Sequence, residues 1–133
     1  MHTSKKPAVY IIDGLNFVRS YLIRGANLNE EDLTADLILW LDDLGRGVLA
    51  GSDFRLILDG SFRNLGQKQA VNVSVRFTED ITADDIICEQ AAYLHQNNTR
   101  VIVVSSDLEL TSNLRSLGIK TMHCSKFFND FYH

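Results

Sequence analysis

Three runs in this chain are apolar almost without a break: Ala8–Ile12, Phe54–Leu58 and Arg100–Val104. A strand with one wet face alternates apolar and polar residues, so an unbroken run points to burial on both faces. That happens in a parallel sheet covered by helices on each side. Two further runs complete the set. Val71–Phe77 alternates at Val71, Val73, Val75 and Phe77, as expected for a strand with a wetter face near a sheet edge. Ile119–His123 is the fifth predicted strand.

Helical patterns separate the runs. Leu33, Leu37, Trp40, Leu41, Leu44 and Val48 keep the spacing of an amphipathic helix, as do Ala83, Ile87, Ala91 and Leu94. Leu110, Leu114 and Leu117 form a third stripe, with Gly118 where a helix C-terminus favours glycine. A helix is predicted over about Leu15–Arg24, and a short terminal one at Phe127, Phe128, Phe131 and Tyr132. The order β-α-α-β-β-α-β-α-β, closed by the terminal helix, predicts a three-layer α/β/α domain with a mostly parallel five-stranded sheet. The 133 residues fit a single domain, 1–133, with 1–6 a short flexible N-terminus. No Pro/Gly/Ser-rich linker and no repeat divides them.

In such sheets ligands bind beyond the carboxyl ends of the strands. Carboxylates gather there. The first strand runs into Asp13, the second into Asp59 and the fourth into Ser105-Ser106-Asp107; the helix after the third opens Thr82-Ala83-Asp84-Asp85. Two charges ~5 Å apart repel by roughly 3 kcal/mol at an effective dielectric of about 20. Stability does not assemble such a rim, whereas a divalent cation neutralises it. Oxygen ligands without His or Cys favour Mg²⁺ or Mn²⁺ over Zn²⁺, and such ions serve in-line phosphoryl displacement. Each Asp alone also fits a turn or N-cap. Thr82 with Asp85 reads as a capping box, and the helical phase makes Asp84 the better ligand and Asp85 the better cap.

Other residues carry less. Asn16 either positions substrate or fixes the loop after the first strand. Ser105 and Ser106 either bond the carboxylates or a phosphate, or form a turn. Ser61–Thr78 holds Arg63, Lys68 and Arg76 and no acid, a local basic stretch suited to nucleic-acid phosphates; Arg19 and Arg24 extend it if their phase allows. Glu79 and Glu109 reach the rim or are solvated, and His95 and His123 share no ligand spacing. His2 and His133 are terminal. Gly60–Lys68 lacks the spacing of a phosphate loop, and no G-x-G-x-x-G is present. Net charge is −4, against a broadly basic nucleic-acid binder. Cys88 and Cys124 form no zinc pattern and read as small buried fillers. Without a signal peptide or a membrane-length apolar run, the expected location is the cytoplasm.

Ile12-Asp13-Gly14-Leu15-Asn16, Leu58-Asp59-Gly60, Phe77-Thr78 followed by Thr82-Ala83-Asp84-Asp85, and Ser105-Ser106-Asp107 stand in the order seen in NYN domains. From about Pro7 to Tyr132 the chain resembles the YacP-like branch of that family, within the PIN-like nuclease superfamily. Two points depart from the branch's usual pattern, Leu15 and the Gly60-Ser61-Phe62 loop. The resemblance implies a PIN-like fold and a metal-dependent ribonuclease. By position it makes Asp13, Asp84 and Asp107 the metal ligands and Asp59 a further acidic site residue. Asp85 stands where a second acid is frequent, and Asn16 matches the asparagine of the first motif.

The expected activity is therefore endonucleolytic cleavage of single-stranded RNA at a Mg²⁺ or Mn²⁺ site. Asp13, Asp59, Asp84, Asp85 and Asp107 form the acidic centre; Asn16, Arg19, Arg63, Lys68, Ser105 and Ser106 hold substrate. Two alternatives stay open: a catalytically silent RNA- or protein-binding module, and a metal-dependent phosphatase, against which Leu15 stands where a haloacid-type enzyme has its second Asp. A ribosome, a regulatory protein or a second copy of the chain remain open as sources of specificity.

Overall fold

The structure is a computed structural model that describes residues 6–22 and 29–132, without the side chains of Tyr21 and Leu22. His2, Arg24 and His133 lie outside the described residues. Five strands, β1 (Val9–Asp13), β2 (Asp53–Leu58), β3 (Val73–Phe77), β4 (Val101–Val104) and β5 (Lys120–Met122), form one sheet in the order β3-β2-β1-β4-β5. Every pairing is parallel. The unbroken runs occupy the three central strands, and the alternating run is the β3 edge, as its wetter face predicts.

The first predicted helix is a short α-helix, α1 (Gly14–Phe17), continued by a π-helical turn, Val18–Leu22. The others are α2 (Glu30–Arg46), α3 (Ala83–Gln96), α4 (Leu108–Ser116) and α5 (Cys124–Phe131). They cover the two faces of the sheet. Phe17, Leu37, Leu41 and Phe127, from α1, α2 and α5, pack with Tyr10, Ile12, Phe54 and Leu56 on one side. Ile87, Ala91 and Leu94 of α3 and Leu110 and Leu114 of α4 pack with Ile11, Ile57 and Val103 on the other. Alternate residues of β1, Ile11 and Ile12, thus serve opposite cores. This is the three-layer α/β arrangement.

The boundary differences have local causes. β3 starts at Val73, two residues late, because the Val71 and Asn72 N–H groups both donate to Asp42 Oδ1 at 3.0 Å. Val71 is left 85% exposed. β5 stops at Met122 because the His123 ring accepts the Ser125 N–H at 3.1 Å and caps α5. Val48 lies past the end of α2 and is exposed.

One glycine is dictated by the close approach of α1 to β2. A Cβ on Gly14 would lie 2.4 Å from Leu58 Cδ2 and 2.9 Å from the Ile57 carbonyl oxygen. Only glycine lets the chain turn from β1 into α1 directly above β2.

Candidate active site

β1 lies between β2 and β4. The β1–β2 connection carries α1 and α2 on one face, and the β3–β4 connection carries α3 on the other. The chain therefore changes direction beside β1, the place where open α/β sheets bind ligands. Asp13 is the last residue of β1, at that point, and is only 7% exposed. Burial pushes its carboxyl up to about 6, with the nearby charges of Asp84 and Asp59 adding to the rise; the Ser105 hydroxyl opposes it. That hydroxyl donates to Asp13 Oδ2 at 3.3 Å and accepts the Asp107 N–H at 3.1 Å. A buried Ser105 thus ties the end of β1 to the start of α4.

Asp59 follows β2 and is exposed. Its loop is held by Thr78, whose buried hydroxyl accepts the Gly60 N–H at 3.1 Å, while the Gly60 carbonyl accepts the Glu79 N–H at 2.9 Å. Gly60 has φ +95°, a conformation that suits glycine. Asp84 stands in the first turn of α3, and its carboxyl is also raised. Desolvation contributes most, followed by the charges of Asp107, Asp59, Asp85 and Glu109. The structure therefore gathers the acids of all four segments at one rim. It also brings in the charge of Glu109, which the sequence alone left between rim and solvent.

Asp85 is exposed, and the cap of α3 is the Thr82 hydroxyl, accepting the Asp85 N–H at 3.2 Å. Asp107 is itself a cap: its Oδ1 accepts the Glu109 and Leu110 N–H groups at 3.0 and 3.1 Å. Asn16 fixes its surroundings. Its Oδ1 accepts from the Ser106 N–H at 3.0 Å, the Ser106 hydroxyl at 2.7 Å and the Cys124 thiol at 3.3 Å. Burial, with Asp13 next in effect, pushes that thiol up to about 12, so it stays a donor. Asn16, Ser105 and Ser106 thus join α1, β4 and α5 beneath the acids.

The basic residues divide. Arg19 is paired with Glu30 and lies within electrostatic reach of Asp59. Arg63 donates through one nitrogen to the Asp59 and Ser61 carbonyls at 3.1 and 2.7 Å, so it shapes the loop after Asp59. Beside it lies a hollow of about 290 Å³ lined by Leu15, Glu30, Glu31, Asp59, Arg63 and Leu65, with Thr34 at its base. Lys68 is exposed on a 3₁₀ turn, Gln67–Gln69. Arg76 lies with Arg55 and Gln90 in a shallow groove beside β3, away from the hollow. His95 lies against Gly118, and His123 caps α5.

The donor chemistry suits a hard divalent cation, since the gathered groups are carboxylates, with Asp13 and Asp84 raised first by burial and then by the acids around them. Among the described residues, no group of three or more His, Cys, Asp or Glu is arranged to hold a metal ion. Magnesium commonly keeps several waters and takes only one or two carboxylates plus substrate phosphate.

The model of the YacP-like NYN domain matches residues 10–132. The chain belongs to the YacP-like NYN domain family. Its fold is similar to two crystal structures of Rae1 (YacP) from Bacillus subtilis. One, a tryptophan-to-leucine mutant, has a TM-score of 0.75 at 20% identity, covering 93% of this chain and 74% of that one. The other has a TM-score of 0.74 at 21% identity, covering 92% and 72%. No curated protein matches by sequence. By its family the domain is nuclease-like and RNA-related. No helix among the described residues is long and apolar enough to cross a membrane.

Proposed function

We propose that this chain is a metal-dependent endoribonuclease that cuts single-stranded RNA at the Asp13–Asp59–Asp84–Asp107 rim, acting as a single NYN domain in the cytoplasm. The observation that carries the reading is the buried Asp13 at the turning point of the sheet, its carboxyl raised by burial and by two neighbouring acids. Asp13, Asp84 and Asp107 would hold Mg²⁺ or Mn²⁺, and Asp85 and Glu109 add negative charge around it. When bound, the ion supplies Lewis-acid charge to the phosphodiester.

The chain's own groups do the rest. Ser105 Oγ engages Asp13 Oδ2 and holds that carboxylate in place. Asp107 Oδ1 is taken by the cap of α4, so Oδ2 is the oxygen it offers to the rim. Asp59, exposed on a braced loop, orients the attacking water. Asn16 and Ser106 fix the β4–α4 loop. Arg19 and Lys68 attract the RNA backbone, and Arg63 supports the loop that faces it. RNA is the partner this chemistry needs, with a ribosome, a regulatory protein or a second copy as candidate sources of target choice.

One observation favours a second reading. Asp107 already serves as a helix cap, which suits a silent RNA-binding module on the same fold. Cleavage assays on Asp84→Asn and Asp107→Asn, each with its far-UV circular dichroism retained, separate the two. At least a 100-fold loss in both is expected. Unchanged turnover in both overturns the site, and RNA binding without turnover by wild type in any metal selects the silent module. Release of phosphate from small phosphomonoesters would instead favour the phosphatase.

A further inference from the structure

Phe62 stands three residues beyond Asp59 and is 62% exposed. Exposed phenylalanine on a loose loop is unremarkable; this loop is built. Arg63 donates to the Asp59 and Ser61 carbonyls on either side of Gly60. Gln67 Nε2 donates to the Arg63 carbonyl at 2.9 Å, and Gln67 Oε1 accepts the Leu65 N–H at 2.6 Å. The Asn64 side chain accepts the Gly66 N–H at 3.2 Å. Phe62 meets Phe77 edge-on, with ring centroids 5.4 Å apart at 66°. The Arg63 guanidinium lies 5.0 Å from the centroid of that same Phe77 ring. The contact anchors the ring on one side, and Phe62 still keeps 62% of its surface open to solvent.

We propose that Phe62 is a stacking platform for one unpaired nucleobase of the RNA held at the acidic rim. This rests on the ribonuclease reading above. Unpaired bases are recognised by stacking on aromatic side chains, and every base has a face to offer. Lys68 supplies the positive charge such an occupant needs, exposed on the 3₁₀ turn of the same acid-free segment, whereas Arg63 faces Glu31 and Arg76 lies in the groove beside β3. Exposed apolar residues also flank two of the other three rim segments: Ile81 precedes Asp84, and Leu108 follows Asp107. Base contact at Phe62 fixes the register of the strand relative to Asp59, three residues away. The platform would select unpaired RNA, since a base in a duplex offers no free face.

The test compares wild type, Phe62→Ala and Phe62→Trp by fluorescence anisotropy with a labelled single-stranded oligoribonucleotide in EDTA. The same set is repeated with oligonucleotides carrying one abasic position moved along the strand, and wild-type cleavage is assayed in parallel. Stacking is worth ~1–3 kcal/mol per base, so Phe62→Ala should bind roughly 5- to 150-fold more weakly, with an unchanged melting temperature. Phe62→Trp should bind within a few-fold of wild type. One abasic position should weaken wild type by a similar factor and leave Phe62→Ala unaffected. Wild type that neither binds nor cuts RNA overturns the ribonuclease reading and this one with it. Wild type that binds, with Phe62→Ala equally tight, overturns the platform alone and leaves Phe62 to a protein partner. An equal loss on fully paired RNA also overturns it.

Discussion

Asp13 shows how a single residue can trade stability for chemistry. Its folded carboxyl sits at about 6, above the unfolded value of 3.8. A raised carboxyl favours the folded state at pH below 3.8, and that advantage is lost as pH rises through 6. At pH 8 in EDTA, Asp13→Asn is therefore expected to be more stable than wild type by about 1–3 kcal/mol. The gap should close below pH 4. Urea unfolding across that range checks both; a variant less stable at pH 8 would contradict the burial argument. Asp13 and Asp59 were legible because each directly follows an apolar run, and Asp84 and Asp107 because each stands at the start of the helix after one. The roles of Asn16 and Ser106 were not settled, since a loop-fixing amide and a substrate-binding amide look alike in sequence. Their bonds span 90 residues. Phe62 carried no signal either: nothing local says that a phenylalanine after Asp59 stays exposed.

Elements obey local rules where the partner is local. Thr82 capping α3 was readable because the bond reaches only three residues. Asp42 was not. It lies within α2, 3% exposed, and its acceptors serve Val71 and Asn72 across 29 and 30 residues. The Asn72 N–H is the main cause holding its carboxyl below the usual range. A lowered carboxyl stabilises above the unfolded value, and the contribution is lost as pH falls through the folded one. Asp42→Ala should cost about 1–3 kcal/mol at pH 7 by stranding those N–H groups. Asp42→Asn should cost less, and its deficit should shrink as pH falls below 4. Chemical denaturation at pH 7 and pH 3 measures both. Gly14→Ala tests the α1–β2 contact. Its methyl meets Leu58 and the Ile57 carbonyl, so a loss of about 1–3 kcal/mol is expected, together with reduced RNA cleavage as Asp13 and Asn16 shift. An unchanged melting temperature would refute that close approach.

At the scale of the molecule, the sequence carried the layers more fully than the topology. Doubly buried strands and intervening helices are patterns of neighbours, so the three-layer sheet could be read from periodicity. The order β3-β2-β1-β4-β5 is a matter of which edge each crossover selects, and periodicity is silent on that. The order matters because it places β1 centrally and its Asp13 at the turning point. All four acidic segments then meet there by the parallel direction of their strands. The most direct test of this account is cleavage of an end-labelled single-stranded RNA by wild type and Asp13→Asn, with Mn²⁺, with Mg²⁺ and with EDTA. Cutting that requires metal and is lost in the folded variant is the predicted result. Cutting that persists in EDTA, or in Asp13→Asn at the wild-type rate, would contradict it.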